Sequence, residues 1–252
     1  MIHFISDLHL AFDTPKITQR FLRFLEKCTG QKLYIFGDFF EIWAGDDCLE
    51  DPKNSFVQEI LNALQNATKK GVQIFLMHGN RDFLIGARFA AEAKITLLPD
   101  PFVLQLNNAK LLLSHGDALC TEDVAYQAFR AQTRDKNWQA AFLQKPFAER
   151  ESIAKALRAQ SEAAKKAGQK SEYSQDVSDE AVLDLLAKNP SIHALIHGHT
   201  HKPNNHQHLI NGQIIPRLVL SDWSDDFGEA LYLDDTQNKA FSHADLQRLK
   251  ID

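Results

Sequence analysis

Short apolar runs alternate with polar turns along most of the chain. The runs occupy residues 2–5, 33–36, 72–77, 111–113 and 194–196, and Asp, Asn or His follows each of them within a few residues. Apolar runs of this length between turn residues are typical of strands that are buried on both faces of a sheet. The pattern therefore predicts an α/β protein in which several strand ends present polar side chains at one edge.

Helical periodicity fills the spaces between the early runs. Apolar positions cluster on one side of a predicted helix over residues 17–27 and of another over residues 56–70, after which Gly71 is placed to end the helix. Residues 102–106 and 110–113 predict a hairpin. Residues 219–221 and 230–233 predict late strands, so strands lie near both ends of the chain.

Residues 122–188 have a different character, with helical spacing and many Ala, Gln, Lys and Arg residues. Large apolar side chains recur within this segment: Phe129, Trp138, Phe142, Leu143, Phe147, Ile153 and Leu157. They either pack onto the main domain or line an inserted helical cap that meets an apolar ligand, and both can hold at once. The expected division is a core of residues 1–121 and 189–252 with a cap of residues 122–188.

The charge of the chain is uneven. The formal net charge is -5, which gives no general case for binding nucleic acid. Between residues 123 and 170, however, there are ten Lys and Arg residues and only five Asp and Glu residues. This excess is either a solvated helical face or a surface for a phosphate-bearing partner or an anionic membrane.

Size and cysteine content restrict the class of protein. The 252 residues suffice for one large domain, and no apolar run approaches the ~20 residues that span a bilayer. Asp7 lies so near the start that removal of a secretion signal would remove part of a candidate site. The three cysteines form no CxxC pair, which favours reduced thiols in the cytoplasm.

The polar clusters that follow the apolar runs contain ligands suited to divalent metals. The candidate ligands are Asp7, His9, Asp38, Asn80, His115, His197 and His199. A single Asp or His of this kind is common in structural loops, but seven of them in five clusters favour a site for two ions. Oxygen and imidazole ligands without thiolates suit Mn²⁺ or Fe²⁺ better than structural zinc.

The order Asp-x-His, Gly-Asp, Gly-Asn-Arg-Asp, His-Gly-Asp and His-Gly-His resembles the calcineurin-like metallophosphoesterases, from Asp7 to His199. The resemblance implies a four-layer αββα sandwich with two metal ions at the strand ends. It assigns one ion to Asp7, His9, Asp38 and His199, and the other ion to Asp38, Asn80, His115 and His197.

Such sites activate water and hold a phosphoryl group for in-line attack. Asn80, Arg81 and His115 are the candidate catalytic residues. The guanidinium group of Arg81 can neutralise a phosphate oxygen, or it can pair with Asp82 or another carboxylate of the ion site as a purely structural contact.

Residues 37–47, 78–86, 114–130 and 196–201 further resemble the UDP-2,3-diacylglucosamine diphosphatases of lipid A biosynthesis. That resemblance implies a hydrolase that uses two Mn²⁺ ions per chain. It implies attack by metal-activated water at the α-phosphorus of UDP-2,3-diacylglucosamine, giving 2,3-diacylglucosamine 1-phosphate (lipid X) and UMP. It also implies a peripheral place on the cytoplasmic face of the inner membrane, and we expect a monomer.

The substrate contacts implied by this resemblance are Asn80, Arg81, Asp123, Tyr126, Ser161, Lys165, Lys170 and His197. Lys166 can replace either of the other two lysines, and all three can equally be exposed lysines on a helix surface. The alternative function is a phosphodiesterase or diphosphatase of a soluble nucleotide, although such a substrate needs no large apolar cap. A binding protein without catalysis is disfavoured because the ligand set is complete.

Overall fold

The computed structural model describes residues 1–51, 54–167, 176–235 and 241–252. Its strands are β1 (Ile2–Ile5), β2 (Lys32–Ile35), β3 (Gln73–Met77), β4 (Thr96–Leu98), β5 (Phe102–Gln105), β6 (Lys110–Ser114), β7 (Ala194–His197), β8 (Asn204–Ile210), β9 (Gln213–Val219), β10 (Glu229–Leu233) and β11 (Gln247–Lys250). Its α-helices are α1 (Pro15–Lys27), α2 (Ser55–Lys69), α3 (Ala87–Ala93), α4 (Val124–Arg134), α5 (Lys136–Leu143), α6 (Phe147–Lys166) and α7 (Asp179–Lys188).

The described strands form two mixed sheets. One sheet has the order β11-β10-β1-β2-β3-β4, in which β1 to β4 run parallel. The other has the order β5-β6-β7-β9-β8, in which β6, β7 and β9 run parallel. Parallel neighbours end at the same edge, so the turns after β1, β2 and β3 lie side by side, as do those after β6 and β7.

Alternation along each strand divides its side chains between two cores. In β1 and β2, Phe4 and Tyr34 enter a core that they share with Leu113 and Ile196 of the other sheet. Their neighbours point the other way: Ile5 and Ile35 pack with residues of α1, α2 and α3. Two-sided burial explains why these strands are apolar at nearly every position.

Helix α7 supplies the outer layer on the second sheet. Its buried Val182 and Leu186 pack with Leu112, Leu195 and Ile215. The layers are therefore α1–α3, first sheet, second sheet and α7, which confirms the predicted four-layer α/β sandwich. The same packing corrects the expected cap of residues 122–188, because α7 belongs to the sandwich and only α4, α5 and α6 form the helical insertion.

The arginines of the insertion tie it to the core. Arg130 and Arg134 lie 2.9 and 3.5 Å from the same oxygen of buried Asp117, and Arg150 pairs with Asp47. These three of the ten basic residues between 123 and 170 are therefore paired with core carboxylates rather than free for a phosphate or a membrane. Arg150 is almost fully buried and also donates to the backbone oxygens of residues 44 and 145, so its charge is well compensated.

Several local predictions hold and one strand pair was missed. Helix α1 begins with Pro15, and Gly71 takes a φ of 87° after α2, where a Cβ would be strained. The hairpin of β5 and β6 is as predicted. The hairpin of β8 and β9 was not predicted, and β9 ends at Val219, where we expected a strand to begin. None of the described helices is both long enough and apolar enough to span a bilayer.

Candidate metal centre

Left-handed backbone conformations concentrate in the turns at the strand ends. Eight described non-glycine residues have positive φ, and five of them carry candidate ligands: Asp7, His9, Asp38, His199 and His201. Such conformations are unfavourable for residues with a Cβ, so the surrounding contacts must hold them. These residues lie in the turns that follow β1, β2 and β7.

Close backbone packing holds these turns together. The amide of His199 donates to Asp7 Oδ2 at 2.8 Å, and a Cβ on Gly198 would collide with the side chains of Ser6 and Asp7. Buried Asp82 accepts the amides of Phe39 at 2.8 Å and Phe40 at 3.3 Å through one oxygen. Its other oxygen accepts the Gly79 amide at 2.8 Å. The Gly-Asn-Arg-Asp turn is thereby fixed to the Gly-Asp turn after β2.

The first ligand cluster consists of Asp7, His9 and His201, each offering an atom within 4.8 Å of the others. His201 Nε2 lies 3.4 Å from Asp7 Oδ1 and 3.3 Å from His9 Nε2. Asp7 is fully buried, whereas His201 is 37% exposed. Two imidazole nitrogens and one carboxylate oxygen therefore face a common point.

The second ligand cluster consists of Asp38, His115 and His199, whose ligand atoms also lie within 4.8 Å of one another. His115 Nδ1 lies 2.7 Å from the carbonyl oxygen of Phe36, to which it donates when the ring is neutral, and this leaves Nε2 as the free nitrogen. Asn80 Oδ1 lies 3.0 Å from His115 Nε2 and adds an amide oxygen to the cluster.

Asp38 lies between the two clusters. Its Oδ2 is 3.9 Å from His9 Nε2 in the first cluster, and its Oδ1 is 3.9 Å from His115 Nε2 in the second. Oδ1 also accepts the amide of Arg81 at 2.8 Å, which fixes the orientation of the carboxylate. One carboxylate with an oxygen toward each cluster is placed to bridge two ions.

The donor set fits divalent metal ions. Among the residues that the structure describes, the buried Asp7 Oδ1 has the 3.4 Å contact with His201 Nε2 but accepts no hydrogen bond of good geometry, and a poorly satisfied buried carboxylate oxygen is costly. A cation facing Asp7, His9 and His201 removes that penalty. Oxygen and imidazole ligands in both clusters are the chemistry of first-row divalent ions.

The position assigned to His197 is a correction to the sequence analysis. His197 is the last residue of β7, and its fully buried ring lies outside both clusters. Its Nε2 accepts from the Arg217 guanidinium at 3.0 Å, and its Nδ1 donates to the oxygen of Gly198 at 3.0 Å. Both ring nitrogens are therefore occupied, and His197 is available neither as a ligand nor as a substrate contact.

His201, which the sequence analysis did not single out, occupies the ligand position instead. The ligand pair is thus shifted by two residues, with His199 in the second cluster rather than the first and His201 in the first. The sequence carried only a spacing signal. The other candidate ligands lie two or more residues beyond their apolar runs, whereas His197 directly follows the run of residues 194–196.

The protonation of each histidine depends on whether burial or a neighbouring carboxylate has the larger effect on its pKa. Burial lowers the pKa of His197 to about 3 and that of His199 to about 4, so both rings are neutral at pH 7. Burial also lowers the pKa of His201, but the carboxylates of Asp222 and Asp7 outweigh it and raise that pKa to about 10. Burial raises the pKa of Asp7, and the histidines around it bring that pKa below its ordinary value. The pairing of His201 with Asp7 shows how strongly this position favours positive charge.

Arg81 does not make the structural pair considered for it. Asp82 takes three backbone amides, as described above, and Arg81 Nε is buried without a hydrogen-bond partner in the described part of the chain. The Arg81 side chain instead lines a cavity beside Asn80. Its guanidinium is placed to meet an anionic group there.

That cavity, of about 340 Å³, lies between the sandwich and the helical insertion. At the core side it is lined by Glu41, Asn80 and Arg81. The side chains from the insertion are mostly apolar and include Phe129, Trp138, Phe142, Ile153, Ala154 and Leu157. The aromatic residues thus serve both expected roles, because Trp138 also stacks on Phe142, with ring centroids 4.8 Å apart, and neighbours Phe83 of the core.

The remaining predicted substrate contacts fall at different places. Asp123, Tyr126 and Ser161 line the cavity, and Asp123 also caps α4 by accepting the Tyr126 amide at 3.0 Å. Lys165 lies in α6, but its side chain, like that of Lys166, is outside the described set. Lys170 lies outside the described residues altogether.

Comparison with known proteins adds a family to this geometry. Residues 1–203 match the calcineurin-like phosphoesterases. The chain is 46% identical to a UDP-2,3-diacylglucosamine hydrolase of Chromobacterium violaceum, over 93% of this chain and 95% of that protein. A protein of the same description from Aromatoleum aromaticum is 45% identical over 88% of this chain and 89% of that protein. Another from Cellvibrio japonicus is 46% identical over 87% of this chain and 90% of that protein.

Proposed function

The chain belongs to the calcineurin-like phosphoesterase family, and from this premise we propose that it hydrolyses UDP-2,3-diacylglucosamine in lipid A biosynthesis. The products are 2,3-diacylglucosamine 1-phosphate and UMP, released after water attacks the α-phosphorus. Relatives that are about 45% identical over nearly their whole length are described as hydrolases of this substrate.

One observation carries the proposal: an apolar cavity opens directly beside the ligand clusters. Asn80 belongs to the second cluster and lines the cavity together with Arg81, while α5 and α6 supply apolar side chains. A substrate with a diphosphate at one end and acyl chains at the other matches this division. A soluble nucleotide leaves the apolar wall without a function.

The chain holds the reacting groups in place. Asp7, His9, Asp38, Asn80, His115, His199 and His201 are the residues that would hold two divalent ions. When bound, such ions polarise the phosphoryl oxygens and lower the pKa of water. Arg81 offers its guanidinium to the charge that develops on the diphosphate. Asn80 places its amide oxygen 3.0 Å from His115 Nε2, where both atoms can face the same ion.

Further properties belong to the same proposal. We assign Mn²⁺ as the metal, with two ions per chain, because the ligands are imidazole, carboxylate and amide oxygen. The enzyme acts as a monomer, bound peripherally to the cytoplasmic face of the inner membrane, where a diacylated substrate is present. Exposed Phe12, Val124, Leu143 and Leu157 offer apolar side chains for such contact.

The test is an assay of the purified chain with Mn²⁺ and UDP-2,3-diacylglucosamine, in which the products are separated and quantified. Formation of UMP and 2,3-diacylglucosamine 1-phosphate, abolished by chelation and restored by Mn²⁺, is the expected result. Solvent ¹⁸O in UMP locates the attack at the α-phosphorus. Slow turnover of this substrate beside rapid turnover of a soluble nucleotide diester would overturn the proposal in favour of the alternative phosphodiesterase.

A further inference from the structure

The two nitrogens of His201 face different carboxylates. Nε2 points into the first ligand cluster, 3.4 Å from Asp7 Oδ1. Nδ1 points away from the cluster and lies 3.4 Å from Asp222 Oδ2. Asp222 is therefore behind the ring, on the side opposite the proposed ion.

The segment that carries Asp222 is fixed to the turns of the metal centre. On one side of it, the Leu220 amide donates to the oxygen of His197 at 2.7 Å. On the other side, the Trp223 amide donates to the oxygen of Asp7 at 3.1 Å. The Ser221 hydroxyl donates to the carbonyl oxygen of Asp222 at 3.0 Å. Asp222 thus has a defined position relative to both His201 and Asp7.

We propose that Asp222 is a positioning residue for the first metal site, acting through His201 rather than by touching the ion or the substrate. The inference rests on the dimetal centre of the proposed function. A carboxylate that accepts from Nδ1–H fixes the tautomer in which Nε2 carries the lone pair, and it raises the basicity of that nitrogen. It also restricts rotation of a ring that is 37% exposed and would otherwise lose rotamer freedom on binding.

Two other histidines of the centre, His9 and His115, have comparable partners. Glu41 Oε2 lies 2.9 Å from His9 Nδ1, and the Phe36 carbonyl lies behind His115. Glu41 also pairs with Arg158 and lines the cavity, so its substitution would affect the cap and the substrate as well. Asp222 is separate from the cavity lining and gives the cleaner test.

The experiment compares Asp222→Ala and Asp222→Asn with wild type and with Asp226→Ala, a control that removes an exposed carboxylate from the same loop. Each metal-free protein is titrated with Mn²⁺ by calorimetry, and the bound ions are followed by electron paramagnetic resonance. Wild type should bind two ions and show a spin-coupled pair.

In Asp222→Ala, the affinity for one ion should fall by about 10–100-fold while the other ion still binds, so the coupled signal gives way to that of a single ion. Asp222→Asn should lose less, because its amide oxygen still accepts from Nδ1–H. Asp226→Ala should match wild type. Unfolding of the metal-free proteins should be alike, which separates positioning from a structural role.

Equal affinities for both ions in wild type and in Asp222→Ala would overturn the inference. If Asp222→Ala does not fold, the isosteric Asp222→Asn and the charge-reversed Asp222→Lys take its place. Wild-type affinity for both Mn²⁺ ions in these two variants would overturn the inference as well. Failure of wild type to bind Mn²⁺ is a distinct outcome, since it rejects the metal centre of the proposed function.

Discussion

The ring of Tyr126 lies almost parallel to that of His199, with centroids 6.0 Å apart and planes at 27°. Tyr126 belongs to helix α4 of the insertion, and His199 belongs to the second ligand cluster. The Tyr126 hydroxyl donates to buried Asp117 at 2.5 Å, and Arg130 pairs with the same oxygen at 2.9 Å. The first turns of α4 are therefore fixed to the turn that carries His115, so the cap is anchored at the metal centre itself.

Removing the Tyr126 hydroxyl should weaken this anchor. In Tyr126→Phe the ring and its stacking remain, but Asp117 loses a donor in a buried position. Burial and Asp117 together raise the pKa of Tyr126, so the hydroxyl remains protonated and able to donate at every working pH. We expect the free energy of unfolding to fall by about 1–3 kcal/mol, measured by urea denaturation. An unchanged midpoint would show that the arginines alone satisfy Asp117.

Loss of a ligand from the second cluster should abolish turnover without unfolding the chain. Asp38→Ala removes the carboxylate between the clusters, and His115→Ala removes an imidazole whose other nitrogen is anchored to Phe36. Both variants should keep the circular dichroism of wild type while their activity falls below detection. Near-normal rates in Mn²⁺ for either variant would contradict the ligand assignment.

His197 and His201 should respond in opposite ways. His201→Ala should lower the metal content measured after gel filtration from two ions per chain toward one, because it removes a ligand of the first cluster. His197→Ala should keep two ions but lose stability, because Nη1 of the buried Arg217 loses its acceptor while Nε still donates to His208. The reverse pattern would restore the assignment made from the sequence.

Arg81→Ala should lower kcat/KM by an amount equivalent to ~2–4 kcal/mol if the guanidinium stabilises charge in the transition state. Arg81→Lys is the matched control: it keeps the charge but not the planar fork, and it should recover part of the loss. Steady-state kinetics with the diacylated substrate provide the measurement. Metal content should stay constant, since Arg81 contacts Asp38 through its backbone amide.

Filling the cavity should discriminate between substrates. Ala154 lines the cavity from α6, whereas Ala163 on the same helix is exposed and lies outside the lining. Ala154→Trp should raise KM for UDP-2,3-diacylglucosamine at least tenfold, because acyl groups lose the space that they fill, a loss of about 1.4 kcal/mol or more. Ala163→Trp should leave KM unchanged. Equal KM values in both variants would place the acyl chains elsewhere.

The parts of the fold with strong local patterns could be predicted from the sequence. The strands β1, β2 and β3 are buried on both faces, so a continuous run of apolar residues is enough to indicate a strand inside the sheet. The β8 and β9 hairpin gave no such signal, because the half-buried positions of β8 include His206 and His208 whereas the apolar Leu209 is exposed, so residue type does not follow burial. Helix α7 was placed in the cap because an amphipathic pattern does not tell which layer its apolar side will meet.

The sequence by itself determined which kinds of side chain the candidate metal centre contains and that they lie at strand ends, because residue type and strand period are local properties. Only the tertiary structure decided that His201 rather than His197 faces Asp7. That depends on where β7 ends and on the hydrogen bond from Arg217 to the ring of His197. It also decided that Asp222 lies behind His201. These residues are remote from Asp7 in the chain, and their distances are set by how the two sheets pack.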